Sequence, residues 1–266
     1  MIALAEGLSG SLPQALTDWG PAQLAAVVIA GYLVVGEPFV GHALHRRFEG
    51  RLRVDPAARR SFYRRLLVLE WGLAVLALVV WLSAPDVGPG QVGLAWPRQW
   101  PGLVTGLVCL ALLALVVVST RTLRSGALSG PPAAARPGEG RHAEPPGHAT
   151  MALLPRTRLE RRLFAVVGVT AGVCEEWLYR GFFLAVVAAL APGSSATVLV
   201  LVAAAGFGLA HAYQGLVGVL ATGVLGGVLA AVYLQTGSLL LPVLLHAVID
   251  LRFLLVPSSA LPAAAR

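Results

Sequence analysis

Apolar residues run along this chain in blocks about as long as a bilayer is thick, and polar residues fall mostly between the blocks. A helix crossing the hydrocarbon core needs roughly 20 mostly apolar residues. Scanning for such runs predicts seven helices, at about 22–40, 66–82, 101–119, 163–191, 196–212, 216–234 and 239–256. Only helices and closed barrels satisfy every backbone polar group in lipid. The expected fold is therefore all-α: an integral membrane protein built as a polytopic bundle of about seven transmembrane helices.

Composition strengthens this picture. The chain has 266 residues, 57% hydrophobic and only 12% charged, with a mean hydropathy of +0.76. A soluble domain carries about twice that charged fraction. All 20 basic residues are Arg, used even at bland positions, so the net charge of +7 is no nucleic-acid signal. Eight Arg fall between Arg46 and Arg65 and eight more between Arg121 and Arg162. The positive-inside rule puts both clusters in the cytoplasm. The connector after the second helix carries only Asp86 and Arg98, and the N-terminus has Glu6 and Asp18 with no basic residue before Arg46. Seven crossings then give a multi-pass plasma-membrane protein with its N-terminus outside and its C-terminus cytoplasmic. The first residues lack a basic region, so no cleavable signal peptide is expected. Cys109 and Cys174 both sit within helices, where small buried apolar roles are expected rather than a disulfide.

The chain divides into a membrane region with three helices (1–124), a Pro/Gly/Ala-rich linker expected in the cytoplasm (125–150), a denser membrane core of four helices (151–256) and a short tail (257–266). The linker cannot bury a core, and His142 and His148 within it read as solvated. The basic stretch from Leu154 to Leu163 is expected at the cytoplasmic interface, its Arg side chains reaching the headgroups. Short connectors in the second half force neighbouring helices to run antiparallel and touch. Gly168 and Gly172, and likewise Gly223 and Gly227, are four apart and read as close-packing positions.

An ionisable side chain inside a transmembrane helix is costly unless paired or wetted, so each is a functional candidate. The second half holds Glu175, Glu176, Arg180, His211, His246 and Asp250; the first holds only Glu37 and Glu70, which fall near segment ends and read as snorkelling or capping. Residues four apart share a helix face, while adjacent ones diverge by about 100°. Glu176 and Arg180 are thus expected to form a buried pair, leaving Glu175 without a cation on its own helix. A carboxyl so placed in low-dielectric surroundings holds a proton more tightly, which suits a general base near neutral pH. By the same spacing Asp250 is expected to orient His246, and Phe207 to wall or orient His211. One structural ion pair or one buried His would be unremarkable, but three such pairs on three helices supply a base, two imidazoles and an orienting carboxylate. That is enough to activate water against a carbonyl.

These residues resemble the motifs of the CPBP family of intramembrane proteases, which includes the type II CAAX prenyl endopeptidases. Its Glu-Glu-x-x-x-Arg motif is matched by Glu175-Glu176-Trp177-Leu178-Tyr179-Arg180, its Phe-x-x-x-His by Phe207 to His211, and its His-x-x-x-Asn/Asp by His246 to Asp250. The resemblance spans about 151–256. It implies that Glu175 and His211 activate the hydrolytic water, that His246 and Asp250 help stabilise the oxyanion, and that the substrate is a membrane-associated peptide or protein. An ionised Asp cannot donate a hydrogen bond, so Asp250 is assigned instead to orienting His246.

The family has been described both as metalloproteases and as glutamate-type enzymes. Glu175, His211 and His246 are the donors for a divalent metal such as zinc, although the soluble metalloprotease signature His-Glu-x-x-His is absent. The expectation leans to metal-free catalysis. Gly7-Leu8-Ser9-Gly10 resembles a rhomboid-type serine motif but precedes the first segment and has no His partner, and His42 and His45 at the membrane edge read as interfacial rather than as a metal pair. The alternative from another class is a non-catalytic bacteriocin-immunity or membrane-scaffold protein. A proton-coupled transporter is a third, without an evident inverted repeat in support.

Overall fold

The structure, a computed structural model, describes residues 20–52, 54–125 and 148–261. The N-terminal charges, the Gly7–Gly10 match, most of the linker with His142, the His148 side chain and the end of the tail lie outside the described residues. Those described are helical, with no strand among them. The helices are α1 (Pro21–Leu52), α2 (Ala58–Leu82), α3 (Leu103–Arg124), α4 (His148–Leu153), α5 (Arg158–Glu176), α6 (Leu184–Leu190), α7 (Ala196–Ala210), α8 (Gly215–Thr236) and α9 (Leu240–Leu251). A π-helical stretch, Trp177–Phe183, joins α5 to α6 without a break.

Each of the seven apolar runs falls on a helix. On length and apolar composition four qualify to cross a membrane: Pro21–Leu52, Ala58–Leu82, Leu103–Arg124 and Ala212–Thr236. The α5–α6 run is long but carries the charged motif, while α7 has 15 residues and α9 has 12. Helices also extend beyond the apolar runs into the Arg-rich stretches, because Arg is a good helix former even where lipid ends. α3 exposes Leu103, Leu107, Leu110, Leu115 and Val118, as expected of a surface facing hydrocarbon.

Local signals set the breaks. Thr157 and Glu160 form a reciprocal capping box, the Thr157 hydroxyl accepting from the Glu160 N–H at 3.2 Å and the Glu160 carboxylate from the Thr157 N–H at 2.9 Å. In the loop after α1 the Ala57 N–H and the Arg51 guanidinium hold the Asp55 carboxyl below its usual range. Gly237, at φ +67°, ends α8 in the left-handed conformation that glycine adopts without strain.

α1 contains Pro38, which has no N–H and would crowd the preceding turn of a regular helix. The backbone answers with a π-helical turn, Tyr32–Gly36, in which the Glu37 N–H bonds the Tyr32 carbonyl. The Leu33 carbonyl thereby loses its usual partner, Glu37, and Pro38 offers it none. The Tyr179 hydroxyl lies 3.2 Å from it instead.

Parallel packing of α2 and α5 brings the two Arg-rich stretches to one end of the bundle. The Tyr63 ring packs on Phe164 at 5.8 Å, the Trp71 indole donates to Thr170 at 3.2 Å, and the Trp177 indole donates to the Ala74 carbonyl at 3.1 Å. At that same end the Arg59 guanidinium donates to the Ala152 carbonyl, and the Tyr63 hydroxyl to that of Leu153. The close-packing glycines act as expected: a Cβ on Gly172 would lie 3.1 Å from Ala247 Cβ and from the Val243 carbonyl oxygen, and one on Gly223 3.2 Å from the Ala204 carbonyl oxygen. Cys109 and Cys174 are free, with Cys174 buried.

Candidate functional site

The site grows from an ion pair that water does not reach. Glu176 and Arg180 are both 0% exposed, and Arg180 Nη1 donates to Glu176 Oε1 at 2.8 Å. Burying such a pair is costly unless its remaining polar groups are satisfied, and here they are met in part: Glu176 Oε2 and Arg180 Nε have no hydrogen-bond partner among the described residues. Arg180 Nη2 donates to the Gly226 carbonyl at 3.1 Å, and the guanidinium lies 4.3 Å from the centroid of the Phe207 ring. Gly226 permits this approach, since a Cβ there would sit 2.9 Å from Phe207 atoms.

The same Glu176 oxygen holds His246, whose Nδ1 lies 2.7 Å away. A carboxylate only accepts, so Nδ1 carries a proton, and Nε2 is the ring nitrogen without a hydrogen-bond partner among the described residues. Nε2 lies 3.9 Å from Glu175 Oε2 and 3.8 Å from Asp250 Oδ2. These are ion-pair separations rather than hydrogen bonds. The orienting partner of His246 is therefore Glu176, not Asp250 as helix spacing suggests. The reason is packing: Gly168 and Gly172 let α9 lie directly on α5, which carries His246 onto the motif.

His211 stands where α7 ends. Its Nδ1 donates to the Phe207 carbonyl at 2.8 Å, leaving Nε2 free, and its ring lies 4.7 Å from that of Phe207. Phe207 also meets His246 edge-on at 5.8 Å, so one aromatic ring separates the two imidazoles. Phe207 thus walls His211 with its side chain and orients it with its carbonyl.

These groups line one cavity of about 760 Å³. Glu175, His211, His246 and Asp250 border it, and so do Glu37 and Glu70 from the first half of the chain. The reading of Glu37 and Glu70 as snorkelling or capping residues is corrected here. α1 and α2 extend well past the apolar runs used to place these residues, so both lie inside helices and face the motif region. Glu37 Oε2 is 2.8 Å from the Tyr179 hydroxyl, within the first motif. The signal that marks Glu37 is its neighbour Pro38 in an otherwise unbroken helical run. Tyr213 lines the cavity too, and no sequence pattern singled it out.

His45 is likewise corrected from interfacial to buried. It is 3% exposed, stacks on Tyr213 at 4.8 Å and bonds Glu49 Oε1 at 3.1 Å, while His42 is exposed. Among the described residues no three His, Cys, Asp or Glu side chains are placed to hold a metal ion. Glu175, His211 and His246, the set considered for zinc, share the cavity but do not converge on a common position.

Polar groups in such a cavity can hold a water and a carbonyl side by side. Glu175 Oε2 is buried with no hydrogen-bond partner among the described residues, and its ready partners are in the cavity. The apolar walls, from residues such as Leu69, Leu73, Leu112 and Leu115, suit a chain segment arriving from lipid.

Comparison with known proteins points to one family. No curated protein and no solved structure matches the chain. The matching family model is described as type II CAAX prenyl endopeptidase Rce1-like, a protease family, and its match covers α5 to the end of α9 with all three motifs. Residues 158–252 thus match the model of the Rce1-like type II CAAX prenyl endopeptidases, in keeping with the intramembrane protease family that the motifs resemble.

Proposed function

We propose that the protein is an intramembrane endopeptidase that hydrolyses a peptide bond of a membrane-associated peptide or protein, with Glu175 and His211 activating the water. The observation that carries this reading is the unpartnered Glu175 carboxyl oxygen facing a cavity shared with two imidazoles, each with one ring nitrogen free. In the proposed step water bridges Glu175 and His211 Nε2, and its oxygen bonds to the scissile carbonyl carbon as Glu175 takes the proton. His246, as the imidazolium beside Glu175, Glu176 and Asp250, donates through Nε2–H to the oxyanion while Glu176 holds its ring through Nδ1–H. The C–N bond then breaks and the proton on Glu175 passes to the leaving amine. Asp250 sits beside the same His246 nitrogen, within reach of a bridging water.

The motif core within 151–256 performs the chemistry, and the membrane region within 1–124 completes the cavity. Seven crossings, an outside N-terminus and a cytoplasmic C-terminus in the plasma membrane complete the proposal.

The test is proteolysis by the purified protein in liposomes, followed on a membrane-anchored peptide that the wild type cleaves. Glu175→Ala and His211→Ala are expected to lower kcat by roughly 10²–10⁴-fold, the range for loss of a positioned acid–base group. Cleavage by either variant at the wild-type rate would remove these residues from the mechanism.

A further inference from the structure

The matched domain leaves one buried carboxyl in the cavity unexplained. Glu70, on α2, lies outside residues 158–252, and its Oε2 is buried with no hydrogen-bond partner among the described residues. A buried polar atom left in this state is destabilising unless something in the cavity satisfies it. Nothing in the packing of α2 requires an acid there, for the Tyr63–Phe164 ring contact before it and the Trp71–Thr170 bond after it already fix α2 against α5. The residue lines the same cavity as Glu175; both side chains are half-buried, and in each the Oε2 atom is buried without a hydrogen-bond partner among the described residues. Glu70 is close enough to Glu175, Asp250 and Glu37 to interact electrostatically with all three.

We infer that Glu70 is a positioning residue of the site, which together with Glu175 holds the water that attacks the substrate. The inference rests on the peptidase reading above. One carboxylate can take the proton of that water but cannot by itself fix where its second lone pair points. A second carboxylate on a different helix, sharing the water's other O–H with His211 Nε2, sets that direction, and the α2–α5 contact keeps the two carboxyls at a constant separation. The N-terminal half thus contributes to the chemistry and is more than a lipid-facing frame.

Two measurements on the full chain in liposomes test this. With the membrane-anchored peptide that the wild type cleaves, Glu70→Gln is expected to lower kcat about 10–100-fold, to change KM less than about threefold, and to be partly rescued in Glu70→Asp. Folding of each variant is followed by thermal unfolding. The second readout needs no substrate: an infrared O–H stretching band of bound water, recognised by its shift in heavy-oxygen water, is expected in the wild type and lost in both Glu70→Gln and Glu175→Gln. A folded Glu70→Gln variant with wild-type kcat would overturn the inference. So would a water band that is missing from the wild type, or that disappears in Glu175→Gln but persists in Glu70→Gln. Failure of the wild type to cleave any peptide would instead sink the peptidase reading, and the infrared arm would still decide whether Glu70 and Glu175 share a water.

Discussion

Glu176 Oε1 accepts from Arg180 Nη1 at 2.8 Å and from His246 Nδ1 at 2.7 Å, so a single carboxylate oxygen ties the first motif to the third across 70 residues of sequence. The link decides how the second Glu of the motif contributes. It neutralises a fully buried guanidinium and fixes the ring of a cavity-facing imidazole. Glu176 is therefore coupled to both stability and chemistry, whereas Glu175, one residue away, faces the cavity.

Removing that carboxylate leaves Arg180 as an uncompensated buried charge. Breaking a buried pair from one side costs about 3–5 kcal/mol. Glu176→Ala is expected to lose about that much stability in thermal or denaturant unfolding in detergent. The Glu176→Gln, Arg180→Gln double variant is expected to recover a substantial part of it while staying inactive, because His246 is no longer held by a carboxylate. Additive losses in the double-mutant cycle would show that the two side chains do not act as a pair.

Tyr179 gives a second test. Its hydroxyl lies 2.8 Å from Glu37 Oε2 and 3.2 Å from the Leu33 carbonyl, which the π turn before Pro38 leaves without a backbone partner. Tyr179→Phe keeps the edge-on packing against Phe207, whose centroid is 5.2 Å away. It removes only the oxygen. The Leu33 carbonyl and the Glu37 carboxyl then lose the one O–H they share, and a loss of about 1–3 kcal/mol is expected. An unfolding midpoint equal to the wild type would show that water or a backbone adjustment replaces the hydroxyl.

The helices were legible in the sequence because lipid imposes length and apolarity on every crossing, and because these constraints are local. The ends were not. A hydropathy scan stops where Arg46 or Arg64 begins, but helical hydrogen bonding continues through them, and this displacement made Glu37 and Glu70 look terminal. Helix spacing identified Glu176 and Arg180 as partners, since their separation along one helix fixes their faces. The same rule suggested Asp250 for His246, although the bond is made by Glu176 on another helix. Spacing describes one helix at a time. Which helix lies against it depends on Gly168, Gly172 and Gly226, and their absent side chains name no partner.

That dependence on glycine is itself testable. A Cβ on Gly172 would lie 3.1 Å from Ala247 Cβ, Ala247 N and the Val243 carbonyl oxygen, two of these being backbone atoms that cannot turn aside. Gly172→Val is expected to push α9 away from α5, costing about 1–3 kcal/mol as overpacking and drawing His246 off Glu176, so that activity falls further than stability does. Gly106→Ala on α3, where nothing lies within 4 Å, is the matched control and is expected to be neutral or stabilising by up to about 1 kcal/mol. Equal activity in the two variants would mean that the α5–α9 approach does not govern the site.

The orientation proposed for the bilayer rests on where the Arg-rich stretches meet. Arg59 and Tyr63 at the start of α2 bond the carbonyls of Ala152 and Leu153, so both basic clusters share one end of the bundle. The loop joining α2 to α3 lies at the other end and exposes Trp96 and Trp100, residues suited to a membrane–water boundary. In a background lacking Cys109 and Cys174, single cysteines at Val54 and Trp96 are expected to label from opposite sides. A membrane-impermeant thiol reagent added to intact cells should modify Trp96→Cys directly and Val54→Cys only after the membrane is opened. Labelling of both from the same side would refute the arrangement of α2 as a full crossing. Reversed sidedness would instead invert the proposed topology and place the motif-bearing helices upside down relative to the cytoplasm.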